Sequence, residues 1–216
     1  MRVAIYFSGR IKGFLKVKEK LKKIQEKHNA IFFCSLNEEF ITPETGEFCD
    51  LYNLDYNQIN IQKVSEVIPS EIFTFIKRPE SSYENAFSMF YHNKKCIELI
   101  KNYENINSFK FDIIVKYRAD IDNYMDLDIF SIYKNNKTIY IPVDPPWYIH
   151  LGINDQIAIG GNEIMEIYSN AVDSIINLCK NYNTIYNPEI ILNDFLWLNN
   201  LTIELFRYQY EIVKKC

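Results

Sequence analysis

The segment that most constrains what this chain can fold into is residues 111–122, FDIIVKYRADID. Ile113, Ile114 and Val115 form an apolar run that reads as a buried β-strand. The strand runs out into a turn that carries Arg118, Asp120 and Asp122. Ligands in open α/β sheets sit at the carboxyl ends of strands. A buried strand that delivers clustered carboxylates at that end therefore predicts both a fold and a chemistry, a divalent cation held against a phosphate.

The remaining pattern fits one mixed α/β domain. Residues 2–7 (RVAIYF) read as a first strand ending in Ser8-Gly9-Arg10. Residues 12–27 repeat Phe14, Val17, Leu21 and Ile24 at helical spacing, which predicts an amphipathic helix with a basic outer face. Residues 30–35 (AIFFCS) are a second buried strand, so the chain opens β-loop-α-β, the start of a parallel sheet. Residues 37–57 are polar and mixed, with Pro43 and Gly46 as turn markers, and 59–64 read as a short strand. A second helix spans 81–103, with Phe87, Phe90, Ile97 and Ile100 on one face and Ser88, Tyr91 and Lys95 on another.

Residues 137–143 predict another strand, and 144–148 (DPPWY) a stiff loop. A short strand follows at 155–159, then a helix over 163–180 capped by Asn162, and a further helix over 188–199. Residues 208–213 read as a last edge strand. No internal repeat, linker or composition break divides the 216 residues. The expected architecture is a mostly parallel twisted sheet flanked by helices.

Charge and cysteine usage narrow the partners. A net charge of −4 argues against a nucleic-acid binder, whose phosphate contacts need clustered Lys and Arg. The lysine-rich helix at 12–27 reads as a solvated face, with weak contact to an anionic membrane surface as the alternative. Cys34, Cys49, Cys96, Cys179 and Cys216 are odd in number and lack CxxC spacing, which predicts reduced thiols and neither disulfides nor a zinc site. Cys96 and Cys179 fall in helical apolar patterns and are expected in the core. The apolar run at 3–7 is too short for a signal peptide, and no run approaches the ~20 residues that span a membrane. A soluble protein made in the cytoplasm is expected.

Several residues are candidates for chemistry. Mg²⁺ and Mn²⁺ prefer carboxylate oxygens, and one or two carboxylates plus substrate phosphates suffice to hold them. Asp120 and Asp122 are candidate metal ligands, against the alternative of an acidic surface turn. Arg118 is a forked cation suited to a diphosphate or to an orienting ion pair. Ser8, Gly9 and Arg10 open into a helix, where a glycine admits close ligand approach; an ordinary tight turn is the better reading of these residues alone. Asn154, Asp155 and Gln156 form a polar cluster beside the Pro-Pro-Trp loop. Asp155 is a candidate general base or acceptor contact, or a satisfied turn residue. Trp147 and Tyr148 would stack on a sugar or base, or simply pack. Glu189 is explained by the helix dipole at a first turn. His28, His92 and His150 follow no metal or catalytic pattern, and no GxSxG elbow is present.

Taken in order, these pieces resemble a small GT-A-type glycosyltransferase, similar to compact enzymes of large DNA viruses and of bacterial surface-polysaccharide clusters. The resemblance is carried by Ile5 to Arg10, Ser88 to Tyr91, Asp112 to Asp120, Asn154 to Gln156 with Ile159-Gly160, and Pro188-Glu189. It implies transfer of a hexose from a nucleotide-diphosphate sugar, a UDP-sugar first, to a hydroxyl of a glycan or glycoconjugate. In this reading Arg118-Ala119-Asp120 occupies the slot of a DxD motif, with Arg in place of the first Asp and Asp120 as the leading Mn²⁺ or Mg²⁺ ligand. A literal DxD stands two residues on, Asp120-Ile121-Asp122. Ser8, Gly9, Arg10 and Ser88 would line the nucleotide pocket, and Asn154 to Gln156 the acceptor side. Two other classes stay open, a sugar nucleotidyltransferase and a non-catalytic nucleotide-sugar binder.

Overall fold

The structure is a computed structural model that describes residues 1–75, 82–143 and 152–213. The predicted loop at 144–148, with Trp147 and Tyr148, lies outside the described residues, as do His150, Cys216 and the expected helix start at Ser81.

In chain order the elements are β1 (Val3–Gly9), α1 (Phe14–His28), β2 (Ile31–Asn37), α2 (Pro43–Leu51), β3 (Ile59–Gln62), α3 (Glu71–Phe75), α4 (Tyr83–Asn107), β4 (Ile113–Tyr117), β5 (Ile121–Asn123) and α5 (Ile129–Ile132). They continue with β6 (Thr138–Pro142), β7 (Ile157–Gly160), α6 (Asn162–Ser169), α7 (Ala171–Asn181), α8 (Pro188–Leu198), β8 (Thr202–Phe206) and β9 (Tyr210–Ile212). Seven strands form one sheet in the order β3-β2-β1-β4-β7-β6-β8. Their pairings make β7 the one strand that runs against the other six, so the sheet is mostly parallel as expected. β5 and β9 pair antiparallel as a separate small ribbon.

Alternation along the strands splits the core into two layers. Ala4, Tyr6 and Ile114 face a cluster built with α4, α6, α7 and α8. Val3, Ile5, Phe7, Ile113, Val115 and Tyr117 face the opposite cluster, where α1 lays down Phe14, Val17, Leu21 and Ile24 and α2 contributes Phe48. Helices on both faces explain why the central strands read as continuous apolar runs.

Four expectations need correction. Residues 37–57 contain a helix: Pro43 is the first residue of α2, not a turn marker. Proline is preorganised there because its missing N–H has no intrahelical partner anyway. The preceding Thr42 N–H donates to Thr45 Oγ1 at 3.2 Å. The helix expected over 163–180 is two helices, broken at Asn170, where the Ser169 hydroxyl donates to the Glu166 carbonyl at 2.8 Å and competes with the helical ladder. Asn162 is inside α6; Gly161 is the cap, and the Asn162 amide instead donates to buried Glu104 at 2.5 Å. The expected last strand forms as β9, but it joins β5 in the ribbon, and β8 takes the sheet edge instead.

Candidate functional site

Strand order reverses beside β1: the chain runs outward through β2 and β3, then returns to place β4 on the other side. A crevice at the carboxyl ends of the flanking strands is the expected ligand site at such a switch point. The structure has a cleft there of about 220 Å³. It is lined by the end of β1 (Ser8, Gly9, Arg10), the end of β4 (Lys116, Tyr117, Arg118, Asp120) and the first turns of α4 (Asn85, Ala86, Ser88, Met89), with Phe40, Asp155 and Pro188 closing it.

Seven of the residues singled out in the sequence therefore meet in one place: Ser8, Gly9, Arg10, Ser88, Arg118, Asp120 and Asp155. The β1 end turns sharply: Gly9 has φ +87°, and the Arg10 N–H donates to the Ser8 carbonyl at 3.2 Å. The Arg10 guanidinium lies 5.7 Å from the centre of the Phe40 ring.

Asp120 is the most constrained carboxylate of the cleft. Its side chain is 5% exposed, whereas that of Arg118 above it is 39% exposed. The Arg118 fork donates to both oxygens, Nε to Oδ1 at 2.6 Å and Nη2 to Oδ2 at 3.1 Å. The Asp120 carbonyl accepts from the Val213 N–H at 2.9 Å. Gly13, the N-terminal cap of α1, packs directly against it. A Cβ on Gly13 would stand 3.1 Å from Asp120 Cβ, and the glycine's φ of +72° is one that only glycine adopts at little cost. Asp120 thus sits at the positive end of the α1 dipole as well as under a guanidinium.

Asp122 does not join the cleft. In β5 it points to the flank, where Lys20 of α1 pairs with it and donates to the Asn123 carbonyl at 2.7 Å. The physical reason is the strand start at Ile121: Ile121 takes the buried side, and its neighbour is turned outward.

Lys116 is the charged lining residue that was not singled out from the sequence; Phe40, Asn85 and Ala86 are further lining residues that were not. Lys116 follows Ile114 on the α4 face of β4, is 4% exposed and donates its Nζ to the Asp155 carbonyl. Burial pushes its pKa below the usual lysine value; the nearby Asp155 carboxylate pulls it back up, and Arg118 lowers it further. A lone lysine near the end of an otherwise apolar strand was the available signal.

The cluster of Asn154, Asp155 and Gln156 is held by hydrogen bonds. The Asn154 carbonyl oxygen of the side chain accepts from the Gln156 N–H at 2.9 Å, and its amide donates to the Tyr210 hydroxyl at 2.5 Å. Asn154 and Gln156 are not among the cleft residues; Asp155 is. The Ile153 N–H donates to the Glu189 carbonyl at 3.2 Å, and a Cβ on Gly152 would fall inside the Glu189 peptide group, so the loop and the start of α8 touch backbone to backbone.

Neither described histidine reaches the cleft. His28 Nε2 lies 2.8 Å from the Leu127 carbonyl, and His92 Nδ1 lies 2.8 Å from Ser35 Oγ. Burial lowers both, His92 to about 4, so His92 is neutral at physiological pH. Cys34, Cys49, Cys96 and Cys179 are free thiols; Cys96 is buried in the core and Cys179 partly so. Among the described residues no helix is long and apolar enough to cross a membrane.

Mg²⁺ or Mn²⁺ would find two carboxylates in the cleft, Asp120 and Asp155, the first already engaged by a cation. Both Asp120 oxygens accept from Arg118, and Asp122 is engaged by Lys20 outside the cleft. Among the described residues no group of three or more His, Cys, Asp or Glu could hold a metal. Two carboxylates, Asp155 and the Arg118-held Asp120, beside the three cations Arg10, Lys116 and Arg118 suit an anion better than a divalent cation.

No family model and no curated protein matches the chain. Among solved structures it is similar to a glycosyltransferase involved in the glycosylation of the major capsid of PBCV-1, with 12% identity, a TM-score of 0.47, and coverage of 96% of this chain and 83% of that one. At that score and identity the likeness assigns neither family nor activity.

Proposed function

We propose that this chain is a glycosyltransferase of GT-A type. It moves a hexose from a nucleoside diphosphate sugar, a UDP-sugar in the first instance, to a hydroxyl of a glycan or glycoconjugate. The observation that carries the reading is the charge arrangement of the switch-point cleft: Arg10, Lys116 and Arg118 line it together with Asp120 and Asp155. Three cations beside two carboxylates suit a ligand that is strongly anionic at one end and rich in hydroxyls at the other.

In the reaction the bond between the anomeric carbon and the diphosphate oxygen breaks, and its electron pair leaves with the diphosphate. A new bond forms to the acceptor oxygen. Preorganised cations aimed at the departing charge are the largest expected source of acceleration. Arg118 and Lys116 supply them from the end of β4, with Arg10 from the end of β1. Ser8, Gly9 and Ser88 line the nucleotide end, where Phe40 offers an apolar face to the base. In an inverting transfer the Asp155 carboxylate takes the acceptor proton; in a retaining transfer it orients the acceptor hydroxyl, whose proton passes to the departing diphosphate oxygen.

The test is a screen of UDP, GDP, CMP and their sugars by thermal shift, followed by product analysis. Stabilisation by a nucleoside diphosphate, and its release from the sugar donor, is the expected result. Release of pyrophosphate from a nucleoside triphosphate and a sugar 1-phosphate would identify a nucleotidyltransferase instead. Binding without any donor turnover, in the presence of candidate acceptors, would reduce the chain to a nucleotide-sugar binder.

A further inference from the structure

We propose that Arg118, anchored by Asp120, is the cation of this site, so that the donor diphosphate is bound and released without a divalent metal. The inference rests on the reading of the cleft as a nucleoside diphosphate site. Three observations lead to it.

The first is the layering of the pair. The carboxylate is buried and the guanidinium above it is half exposed toward the cleft. A buried anion beneath an accessible cation is the order expected when the anion positions and the cation meets the ligand. The second is how firmly the anchor is fixed. Asp120 is held by two bonds from Arg118, by Val213 through its carbonyl, and by the close approach of Gly13 at the N-terminus of α1. Its charge is already offset from two sides before any ligand arrives. The third is the company it keeps. Lys116 and Arg10 share the lining, while the second acid of the turn, Asp122, is drawn to Lys20 on the other side. A divalent ion entering here would meet three positive side chains and would share the Asp120 oxygens with Arg118, which already donates to both.

Planar guanidinium also suits phosphate oxygens better than a point charge does, because its N–H donors match their spacing. The positive charge that a leaving diphosphate needs is thus supplied by the chain itself.

Calorimetric titration of UDP into the full chain, once in EDTA and once in Mn²⁺ or Mg²⁺, tests this without any variant. The affinities should agree within about threefold. Arg118→Ala should weaken binding in EDTA by roughly 10- to 100-fold, the usual value of a charge-assisted contact. Arg118→Lys should keep binding insensitive to EDTA. Arg118→Asp, which creates Asp-Ala-Asp at 118–120, should instead take up Mn²⁺, read by loss of the free-ion paramagnetic resonance signal. Its UDP affinity should then rise with Mn²⁺. If wild-type UDP binding is lost in EDTA and restored by Mn²⁺, the inference is overturned while the functional reading stands. If UDP binds in neither condition, the functional reading falls and the inference goes with it.

Discussion

Asp120 and Asp122 are separated by one residue, and each faces a cation, yet they belong to different regions of the molecule. Asp120 forms the floor of the cleft, 5% exposed, clamped between Arg118 and the first turn of α1. Asp122 lies on the flank between β5 and α1, where it and Lys20 are 32% and 41% exposed. The two pairs look alike as a list of charges. Their surroundings make them unequal: an exposed pair contributes about 0–1 kcal/mol, because water screens it, whereas breaking a buried one leaves a charge without solvent or partner. The lesson is that Arg-Ala-Asp-Ile-Asp sends its two acids to different surroundings, and that burial makes Asp120 the one whose pairing matters more to the fold.

The comparison is easiest to break at Arg118. Arg118→Ala strands the Asp120 carboxylate beneath the cleft and should lower unfolding stability by about 3 kcal/mol, measured by urea denaturation. A loss under 1 kcal/mol would mean that the floor is as solvent-screened as the flank. Asp120→Asn should cost less, because the guanidinium left behind can reach water.

The layer beneath the cleft should show itself in acid. His92 sits one turn beyond Ser88 on α4, and burial holds its pKa near 4, below the ordinary 6.5. Between those values the unfolded chain binds more protons than the folded one, so stability rises with pH and is lost as pH falls from about 6.5 to 4. The shift corresponds to roughly 3 kcal/mol at most. His28 is displaced in the same direction and adds to that slope. His92→Gln should flatten the acid limb of stability against pH; an unchanged slope would place the titrating groups elsewhere.

Close packing separates the regions again at Gly152. A methyl group there collides with the Glu189 backbone, and Gly152→Ala should destabilise by about 2 kcal/mol and loosen the loop that carries Asp155. The expected readout is a lower melting temperature together with reduced donor turnover. On the flank the smallest effects are expected: Lys20→Ala and Asp122→Asn should each change stability by less than about 1 kcal/mol and leave nucleotide affinity unaltered. A strong loss of affinity in Asp122→Asn would return that residue to the site.

Much of this was legible before the structure. Strands β1, β2 and β4 are compact apolar runs because helices cover both their faces, and α1 and α4 show clear helical spacing. The residues at strand ends were therefore findable: Ser8, Gly9, Arg10, Arg118 and Asp120 follow directly from where the apolar runs stop. What escaped did so for physical reasons. α2 is short and half exposed, so its apolar signal is weak and Pro43 suggested a turn. Thr202 to Phe206 is short and mostly exposed, with Ile203 and Phe206 partly buried three residues apart, so it shows no clean strand alternation. Lys116 was hidden by its own neighbours, since a strand that is buried on both faces is read for its core residues. The antiparallel sense of β7 and the separate ribbon of β5 and β9 depend on long-range pairing, which no local pattern encodes.

α1 carries its own row of lysines on the flank, with Lys20, Lys23 and Lys27 around a second hollow that is the alternative place for an anionic ligand to settle. A crystal of the full chain soaked with UDP decides between the hollow and the cleft. The account predicts diphosphate density in the cleft at the ends of β1 and β4, within contact of Arg118 and Lys116. Density on the α1 flank with the cleft empty would contradict it.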